Sequence, residues 1–320
     1  MIDILLSTYD GEKFLRDFIK SLDMQTYKDW RLIIRDDGSI DSTKKILEEI
    51  RKANPSKFII LEDDLGNIGA YRSFFELLRK SSANYIMFAD QDDVWLPQKI
   101  EKTLKKMLDL EKSFGSNVPI LVHTDLQIVN ENLDLIYPSF WKYRNQNPEY
   151  KALNYLIVQN NITGCTIMLN YALKELIRKI PEKAIMHDWW VALVASAFGI
   201  IDYIPDQTVL YRQHSNQNIG AKKYSINFFY NEFIKKPSNA VLSFNKTVDQ
   251  AINFLEIYKE KLSKDQIDIF TTYINLKNES LIKKLKNIVK HKFFKQGKIK
   301  NIGFILTVLF LSNKYFLYEK

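Results

Sequence analysis

Several features that narrow the class of a protein are scarce or missing in this sequence of 320 residues. Cys165 is the single cysteine, which excludes an intramolecular disulfide framework, and no Cys/His spacing typical of a zinc site accompanies it. We recognise no cleavable signal peptide and therefore expect the protein to work in the cytoplasm. The longest apolar run, residues 302–312, has about eleven residues, whereas a membrane-spanning helix needs about 18. We do not expect an integral membrane protein.

Positive charge is concentrated near the C-terminus. Residues 283–300 contain eight lysines and no acidic residue, against a formal net charge of +8 for the whole chain. Lysines interleaved with Phe293, Phe294 and Ile299 are typical of an interfacial helix on anionic lipid, and a solvated helix face is the alternative. A basic stripe without a recognised binding module is weak support for nucleic acid. We therefore expect an anionic membrane surface, and no nucleic acid, as a partner.

The first half of the sequence alternates strand-like and helix-like segments. Short apolar runs alternate with segments in which apolar residues recur every three or four positions. This alternation predicts an α/β fold whose mostly parallel central sheet is flanked by helices. The predicted strands are residues 2–8, 30–35, 58–61 and 85–88, and the predicted helices are residues 11–25 and 42–53, one after residue 70 and one from Pro97.

The second half is less regular up to residue 220 and helical beyond it. Predicted strands cover residues 120–123, 162–169, 200–203 and 208–211, and predicted helices cover residues 171–180 and 187–198. Several amphipathic helices without a chemical motif follow from residue 224. We therefore place a domain at residues 1–220 and a lysine-rich helical extension at residues 221–320.

Two acidic clusters end two of the predicted strands. Asp36-Asp37-Gly38-Ser39 follows the second strand, and Asp90-Gln91-Asp92-Asp93 follows the fourth. Parallel strands end at one edge of the sheet, which is where open α/β sheets bind ligands. A turn with Gly38 at positive φ explains the first cluster alone, and a solvated loop explains the second. Because packed carboxylates repel one another, their recurrence at equivalent positions favours a divalent cation with a phosphate.

A set of motifs in chain order is similar to that of the family-2 glycosyltransferases, which are inverting, nucleotide-sugar-dependent enzymes of the GT-A fold. The similarity covers residues 1–220. Tyr211-Arg212-Gln213-His214-Ser215-Asn216, here called the tail motif, together with Gly220 resembles the rhamnosyltransferase branch of that family. The other motifs are Leu6-Ser7-Thr8-Tyr9 with Asp10-Gly11, the two acidic clusters, Asn67-Ile68-Gly69, and His187-Asp188-Trp189-Trp190.

The resemblance implies roles for individual donor-site residues. Asp36 would accept a hydrogen bond from the imide N–H of a pyrimidine base, which is a role that suits a carboxylate. Asp92, in the Asp-x-Asp pair with Asp90, would bind Mn²⁺ or Mg²⁺ on the diphosphate, and His214 would complete the metal shell. The remaining nucleotide- and donor-binding residues implied are Thr8, Tyr9, Asp37, Asn67, Gly69, Asp90 and Arg212.

The resemblance also implies a base and an acceptor region. Asp188 would be the general base that takes the proton from the acceptor hydroxyl, because inverting displacement needs one base and no enzyme nucleophile. A helix N-cap is the alternative role for this aspartate. His187 departs from the acidic residue that usually precedes the base. The acceptor region would contain Asn161, Thr163, Gly164 and Trp189.

These inferences together predict a metal-dependent transferase. The donor would be dTDP-rhamnose or a UDP-sugar, with rhamnose favoured. The acceptor would be a glycan or lipid-linked glycan in cell-surface polysaccharide synthesis. The protein would be peripheral and would act at the inner face of the membrane. A catalytically silent sugar-binding or membrane scaffold protein is one alternative. A nucleotidyltransferase is another, but residues 7–11 lack the glycine- and basic-rich phosphate loop that it would need.

Overall fold

The computed structural model describes residues 1–177, 179–214 and 237–311 of the protein. The described residues belong to two compact units. The first contains residues 1–141, 162–177, 179–180 and 186–214, and the second contains residues 142–161, 181–185 and 237–311. The predicted boundary between residues 220 and 221 lies outside the described residues, as do Ser215, Asn216 and Gly220 of the resemblance.

The first unit is built on one sheet, to which nine strands belong among the described residues. Its hydrogen-bonded order is β3-β2-β1-β4-β8-β6-β9-β5, and β7 pairs with β6 off this path. The strands are β1 (Ile2–Thr8), β2 (Trp30–Asp36), β3 (Phe58–Ile60), β4 (Tyr85–Ala89), β5 (Val94–Trp95), β6 (Ile120–Val129), β7 (Leu135–Tyr137), β8 (Met168–Asn170) and β9 (Ile200–Arg212).

Strands β3, β2, β1 and β4 are mutually parallel, as the alternation predicted. Nearly every residue of β1 is buried, which is typical of a strand covered by helices on both faces. Thr8 at the end of β1 is in register with Asp36 at the end of β2. The carboxyl ends of these strands therefore meet at one edge.

The second half of the sheet is mixed, because β8 runs antiparallel to both β4 and β6. The predicted strand over residues 162–169 is wrong in its first part. There, Thr166 donates from its N–H and its hydroxyl to the carbonyl of Thr163, which forms a 3₁₀ turn, and pairing starts only at Met168. The two strands predicted within residues 200–211 form one strand, β9, whose pairing with β6 shifts register near Asp125.

Helices cover the sheet and make up most of the second unit. Those of the first half bury the predicted apolar faces; α1, for example, buries Leu15, Phe18 and Leu22. The helices are α1 (Leu15–Asp23), α2 (Thr43–Ala53), α3 (Ala70–Lys80), α4 (Lys99–Phe114), α5 (Phe140–Arg144), α6 (Leu153–Leu156), α7 (Tyr171–Leu176), α8 (His187–Phe198), α9 (Pro237–Tyr258), α10 (Lys264–Asn275), α11 (Leu281–His291) and α12 (Lys298–Leu306), which a π-helical turn at Thr307–Leu311 extends.

The second unit has an aromatic core of its own. Phe254 of α9 stacks on Phe270 of α10 with 4.7 Å between ring centroids, and the hydroxyls of Thr247 and Tyr273 are 2.8 Å apart. These contacts confirm the C-terminal helices from residue 237 onward. None of the helices in the described part of the chain combines the length and the apolar character that crossing a membrane requires.

Candidate active site

The first acidic cluster closes a tight turn at the end of β2. The hydroxyl of Thr8 donates to Asp36 Oδ1 at 3.0 Å, and the N–H groups of Gly38 and Ser39 donate to Asp36 Oδ2 at 3.2 and 2.9 Å. Gly38 has a φ of +90°, as the turn interpretation expected. Asp36 is therefore held in place by the turn that it forms and stays partly exposed at the sheet edge.

Asp37 has a different task from Asp36, because it is buried and holds a neighbouring loop. The N–H groups of Ile68 and Gly69 each donate to one of its carboxylate oxygens at 2.9 Å. Arg35, which sequence reasoning missed, donates to Asp37 from the other side and makes a two-pronged ion pair with Asp63. Asp37 thus positions the segment of Asn67 and Gly69, and Asn67 itself is exposed.

Gln91 is a second residue that sequence reasoning missed, and it joins the two predicted motifs. Its amide oxygen accepts from the N–H of Tyr9 at 3.0 Å, and its amide nitrogen donates to the carbonyl of Tyr9 at 2.8 Å. A β-carbon at Gly11 would lie 2.3 Å from the Gln91 amide oxygen, so a side chain at this position would push the Gln91 amide away from Tyr9. The ends of β1 and β4 are therefore connected side by side.

The second acidic cluster lies beside buried groups that offer it few hydrogen bonds. Ligand atoms of Asp90, Asp93 and Cys165 lie within 4.8 Å of one another. Burial first, and then the charges of Asp92 and Asp188, raise the pKa of Asp90 to about 7. Burial and the same kind of repulsion raise the pKa of Asp93. Cys165 follows Gly164, and a β-carbon at Gly164 would lie 3.5 Å from the β-carbon of Asp188, so the predicted base lies beside the second acidic cluster.

Two basic groups approach this cluster. His214 Nε2 lies 2.8 Å from Asp92 Oδ2, so the structure brings together the two residues that the resemblance assigned to the metal. The guanidinium of Arg212 donates to the backbone carbonyl of Asp92 at 2.8 Å and pairs with Asp17 at the same distance. Arg212 is buried, and it stabilises the Asp92 loop through this hydrogen bond.

Asp188 lies in the first turn of α8. The N–H of Trp189 donates to Asp188 Oδ1 at 2.6 Å, and unpaired N–H groups of a helix start favour a negative charge there. His187 stacks on Phe74 with 3.9 Å between centroids, and neither of its ring nitrogens has a hydrogen-bond partner in the described part of the chain. Burial lowers the pKa of His187 to about 3, so this residue adds no charge beside Asp188 near neutral pH.

The predicted acceptor residues lie in different surroundings. A β-carbon at Gly164 would come within 2.9 Å of His187 Nε2 and 3.5 Å of the β-carbon of Asp188, so Gly164 lies against the base. Thr163 precedes it and starts the 3₁₀ turn, and Trp189 is half-buried next to Asp188. Asn161 belongs to the second unit, where its amide donates to the backbone carbonyls of Asn147 and Tyr150.

Comparison with known proteins decides the family. The model described as glycosyl transferase family 2 matches residues 3–177, which is more than half of the chain. This chain belongs to glycosyltransferase family 2. The predicted family is therefore confirmed.

Relatives and solved structures agree with this family-2 assignment. The dTDP-rhamnosyl transferase RfbG of Shigella flexneri is 27% identical over 227 residues, which are 68% of this chain and 74% of that protein. The structure of S. aureus TarS with UDP-GlcNAc has a TM-score of 0.53 at 14% identity and covers 96% of this chain and 90% of its own. The mannosyltransferase PcManGT of Pyrobaculum calidifontis with GDP-Man and Mn²⁺ has a TM-score of 0.52 at 12% identity, covering 100% and 87%. The structural likeness shows the predicted GT-A fold.

The second acidic cluster of this glycosyltransferase fits a hard divalent cation. Carboxylate oxygens and a neutral imidazole are suitable ligands for Mn²⁺, and Asp92 and His214 present one of each. Asp93 Oδ2 is buried and accepts no hydrogen bond from any described residue. Cys165 is a poor partner for such an ion, because burial raises the pKa of its thiol and keeps it protonated. The oxygen-rich side of the cluster is therefore the part suited to a metal.

Proposed function

We propose that this glycosyltransferase moves a sugar, with inversion, from a nucleoside diphosphate donor to a hydroxyl of a glycan or lipid-linked glycan. The observation that carries the proposal is geometric: Asp90, Asp93 and Cys165 have ligand atoms within 4.8 Å of one another, and Gly164, the residue before Cys165, lies against Asp188. Such a site combines a place for the donor diphosphate with a base for the acceptor. These are the two requirements of a single-displacement transfer.

In the proposed donor site, Asp36 and Thr8 face the nucleotide base and Tyr9 lies beside it. A carboxylate has about four lone-pair sites, and Asp36 accepts four hydrogen bonds, from the Thr8 and Ser39 hydroxyls and from the N–H groups of Gly38 and Ser39. The imide N–H of a pyrimidine would therefore take the place of one of the two hydroxyl donors. Asp37 contributes indirectly, because it holds Asn67 and Gly69 at the donor edge. Selectivity for the base would therefore depend on Asp36, and the placement of the loop would depend on Asp37.

Asp92 and His214 are the residues that we propose to hold Mn²⁺ or Mg²⁺, with Asp90 in the outer shell or on the ribose. When bound, the ion stabilises the negative charge that develops on the departing nucleoside diphosphate. Arg212 keeps the Asp92 loop in place through the Asp92 carbonyl. His214 Nε2 and Asp92 Oδ2 lie 2.8 Å apart, so one ion would bind both atoms in place of the hydrogen bond between them.

Asp188 is the proposed general base. As the acceptor oxygen bonds to the anomeric carbon and the bond to the phosphate oxygen breaks, the acceptor proton goes to the Asp188 carboxylate. The N–H of Trp189 donates to Asp188 Oδ1 and thereby orients that carboxylate. Gly164 lies against Asp188, and we propose that it frames the acceptor together with Thr163 and Trp189.

The donor that we favour is dTDP-rhamnose, with a UDP-sugar as the alternative. Support comes from the tail motif at Tyr211–His214 and from the rhamnosyl transferase relative at 27% identity. The proposed setting is cell-surface polysaccharide synthesis at the inner face of the membrane.

Thermal stabilisation by a panel of nucleotide sugars tests this proposal. We expect dTDP-rhamnose to stabilise the protein in the presence of Mn²⁺ and not with a chelator, by about 2.7 kcal/mol when the ligand is at 100 times its dissociation constant. UDP-glucose, UDP-GlcNAc and GDP-mannose complete the panel, and Asp36→Asn is the variant that should lose the preference for a pyrimidine. Stabilisation that persists in chelator would overturn the metal assignment, and stabilisation by none of the sugars would overturn the proposed function.

A further inference from the structure

Helix α11 in the second unit has three distinct faces. Lys284 and Ile288 form the buried face. The exposed lysines 283, 286 and 290 form a second face. Between the two lies a third face made of Leu281, Ile282, Leu285 and Val289, whose spacing at one, four and eight residues from Leu281 places all four on one side of a helix. An ordinary surface helix shows two faces, buried and polar, so the third requires an explanation.

The exposure of these apolar side chains is high. Ile282 is 84% exposed, Leu285 48% and Val289 58%. The neighbouring α12 and its π-helical turn add Ile302, Leu306 and Phe310, which are four residues apart and also exposed. The ammonium of Lys284 donates to the carbonyl of Val308 at 3.0 Å, so α11 and this turn are in direct contact. We call the seven exposed apolar residues of these helices the docking face.

The structure also sorts the eight lysines that the sequence shows in this region. Lys284 and Lys300 are buried, and they donate to the backbone carbonyls of Val308 and Arg144. They are therefore not available to a partner. Lys283 and Lys290 are exposed beside acidic residues, at 2.9 Å from Glu279 and 3.8 Å from Asp268. Lys295 is half-buried, with its ammonium 5.7 Å from the centre of the Phe304 ring, and the remaining lysines 286, 292 and 298 are exposed.

We propose that the docking face inserts into the headgroup region of an anionic lipid bilayer while the exposed lysines contact lipid phosphates. The combination of apolar side chains with a lysine border is the pattern of an interfacial helix. A nucleic acid would use the lysines but would leave Ile282 and Phe310 in water. A second protein would fit this face only if it carried acidic residues around an apolar patch of its own. The proposal rests on the proposed function for its setting, since a lipid-linked acceptor would belong to the same bilayer.

Acidic substitutions at apolar positions of the docking face, followed by a measurement of vesicle binding, test the proposal. The double variant Leu285→Glu/Val289→Glu places two carboxylates on it without touching the buried face. Leu108→Glu is the matched control, because Leu108 is 46% exposed on α4 of the first unit. With vesicles of phosphatidylcholine and phosphatidylglycerol, we expect the partition coefficient to fall at least about tenfold for the double variant and to stay within about twofold for the control. Raising the salt from about 0.05 to 0.5 M should weaken wild-type binding, because screening acts on the lysines.

Three results would overturn the proposal: equal vesicle binding by the wild type and the double variant, equal binding to pure phosphatidylcholine, or a change in oligomeric state or in DNA binding as the effect of the variant. Donor stabilisation with Mn²⁺ is measured on the same preparations. Its retention in the double variant shows an intact first unit, so that lost vesicle binding then supports the docking face. Absent donor stabilisation with normal vesicle binding would contradict the proposed function alone and leave the docking face standing.

Discussion

The two acidic clusters follow β2 and β4, the strands on either side of β1 in one sheet, yet they are opposite in their electrostatics. Asp36 and Asp37 accept hydrogen bonds from backbone N–H groups, a hydroxyl and a guanidinium. Asp90 and Asp93 lie among other carboxylates, and their pKa values are raised by burial and repulsion. The first cluster is satisfied by hydrogen bonds within the protein, whereas burial and repulsion disfavour the charged forms of Asp90 and Asp93 in the second.

This difference separates a positioning role from a ligand-binding role. A satisfied carboxylate stabilises the loops around it, and its replacement should first affect folding. A crowded carboxylate costs stability in the free protein and recovers it when a cation binds. We therefore expect substitutions in the two clusters to change different measured quantities.

The largest effect is expected at Asp188, which lies beside the second cluster. Asp188→Asn should lower kcat by about 10²- to 10⁴-fold, because it removes the base while leaving the donor contacts in place. The dissociation constant for the nucleotide sugar should change by less than about twofold, as measured by calorimetry with Mn²⁺. Asp109→Asn, at an exposed carboxylate paired with Lys105 on α4, is the control and should keep wild-type turnover. Normal turnover in Asp188→Asn would place the base elsewhere.

The same isosteric change in each cluster tests the comparison directly. Asp37→Asn should lower the free energy of unfolding by about 1–3 kcal/mol, because it leaves Arg35 underpaired and turns an acceptor of the loop N–H groups into a donor. Asp92→Asn should stay within about 0.5 kcal/mol of the wild type, since it relieves repulsion. Both values come from urea denaturation in chelator. If the two variants lose equal stability, the distinction between the clusters is wrong.

The last difference is expected in how the stability of the metal-free protein depends on pH. The pKa of Asp90 is about 7 in the folded protein against 3.8 for an ordinary aspartate. Between these values the folded state keeps a proton that the unfolded chain releases, so stability should decrease as pH rises from about 4 to 7 and level off above. Asp90→Asn should flatten this slope in thermal melts with chelator. An equally steep slope in that variant would assign the titration to another group.

Much of the donor side could be predicted because its residues follow local rules. An apolar run ending in Asp-Asp-Gly-Ser or Asp-Gln-Asp-Asp marks a strand end, and parallel order brings strand ends together. Gln91, Arg35 and Asp63 could not be found in this way. Gln91 acts on Tyr9, which is 82 positions away, and nothing in its local sequence distinguishes it from a spacer. In the sequence Arg35 is only the last residue of a predicted strand, and its pairing with Asp37 and Asp63 appears only in the folded structure.

The prediction of lipid contact also depended on information that only the tertiary structure supplies. From the sequence, all eight lysines of residues 283–300 were equivalent, but the packing of the second unit buries Lys284 and Lys300 against carbonyls. The apolar residues that remain exposed beside the other lysines became visible only with the helices in place. The number of lysines could thus be taken from the sequence, but which of them remain exposed to a lipid surface could not.

The amino-acid sequence by itself determined the strand and helix alternation, the family motifs and the types of chemical group at the sheet edge, because these depend on neighbours within a few residues. Tertiary structure decided which carboxylates are satisfied and which are crowded, that His187 is neutral beside the base, and which face of α11 stays in water. Hydrogen bonding, desolvation and repulsion depend on distance in space, and the groups concerned lie tens to more than a hundred positions apart along the chain.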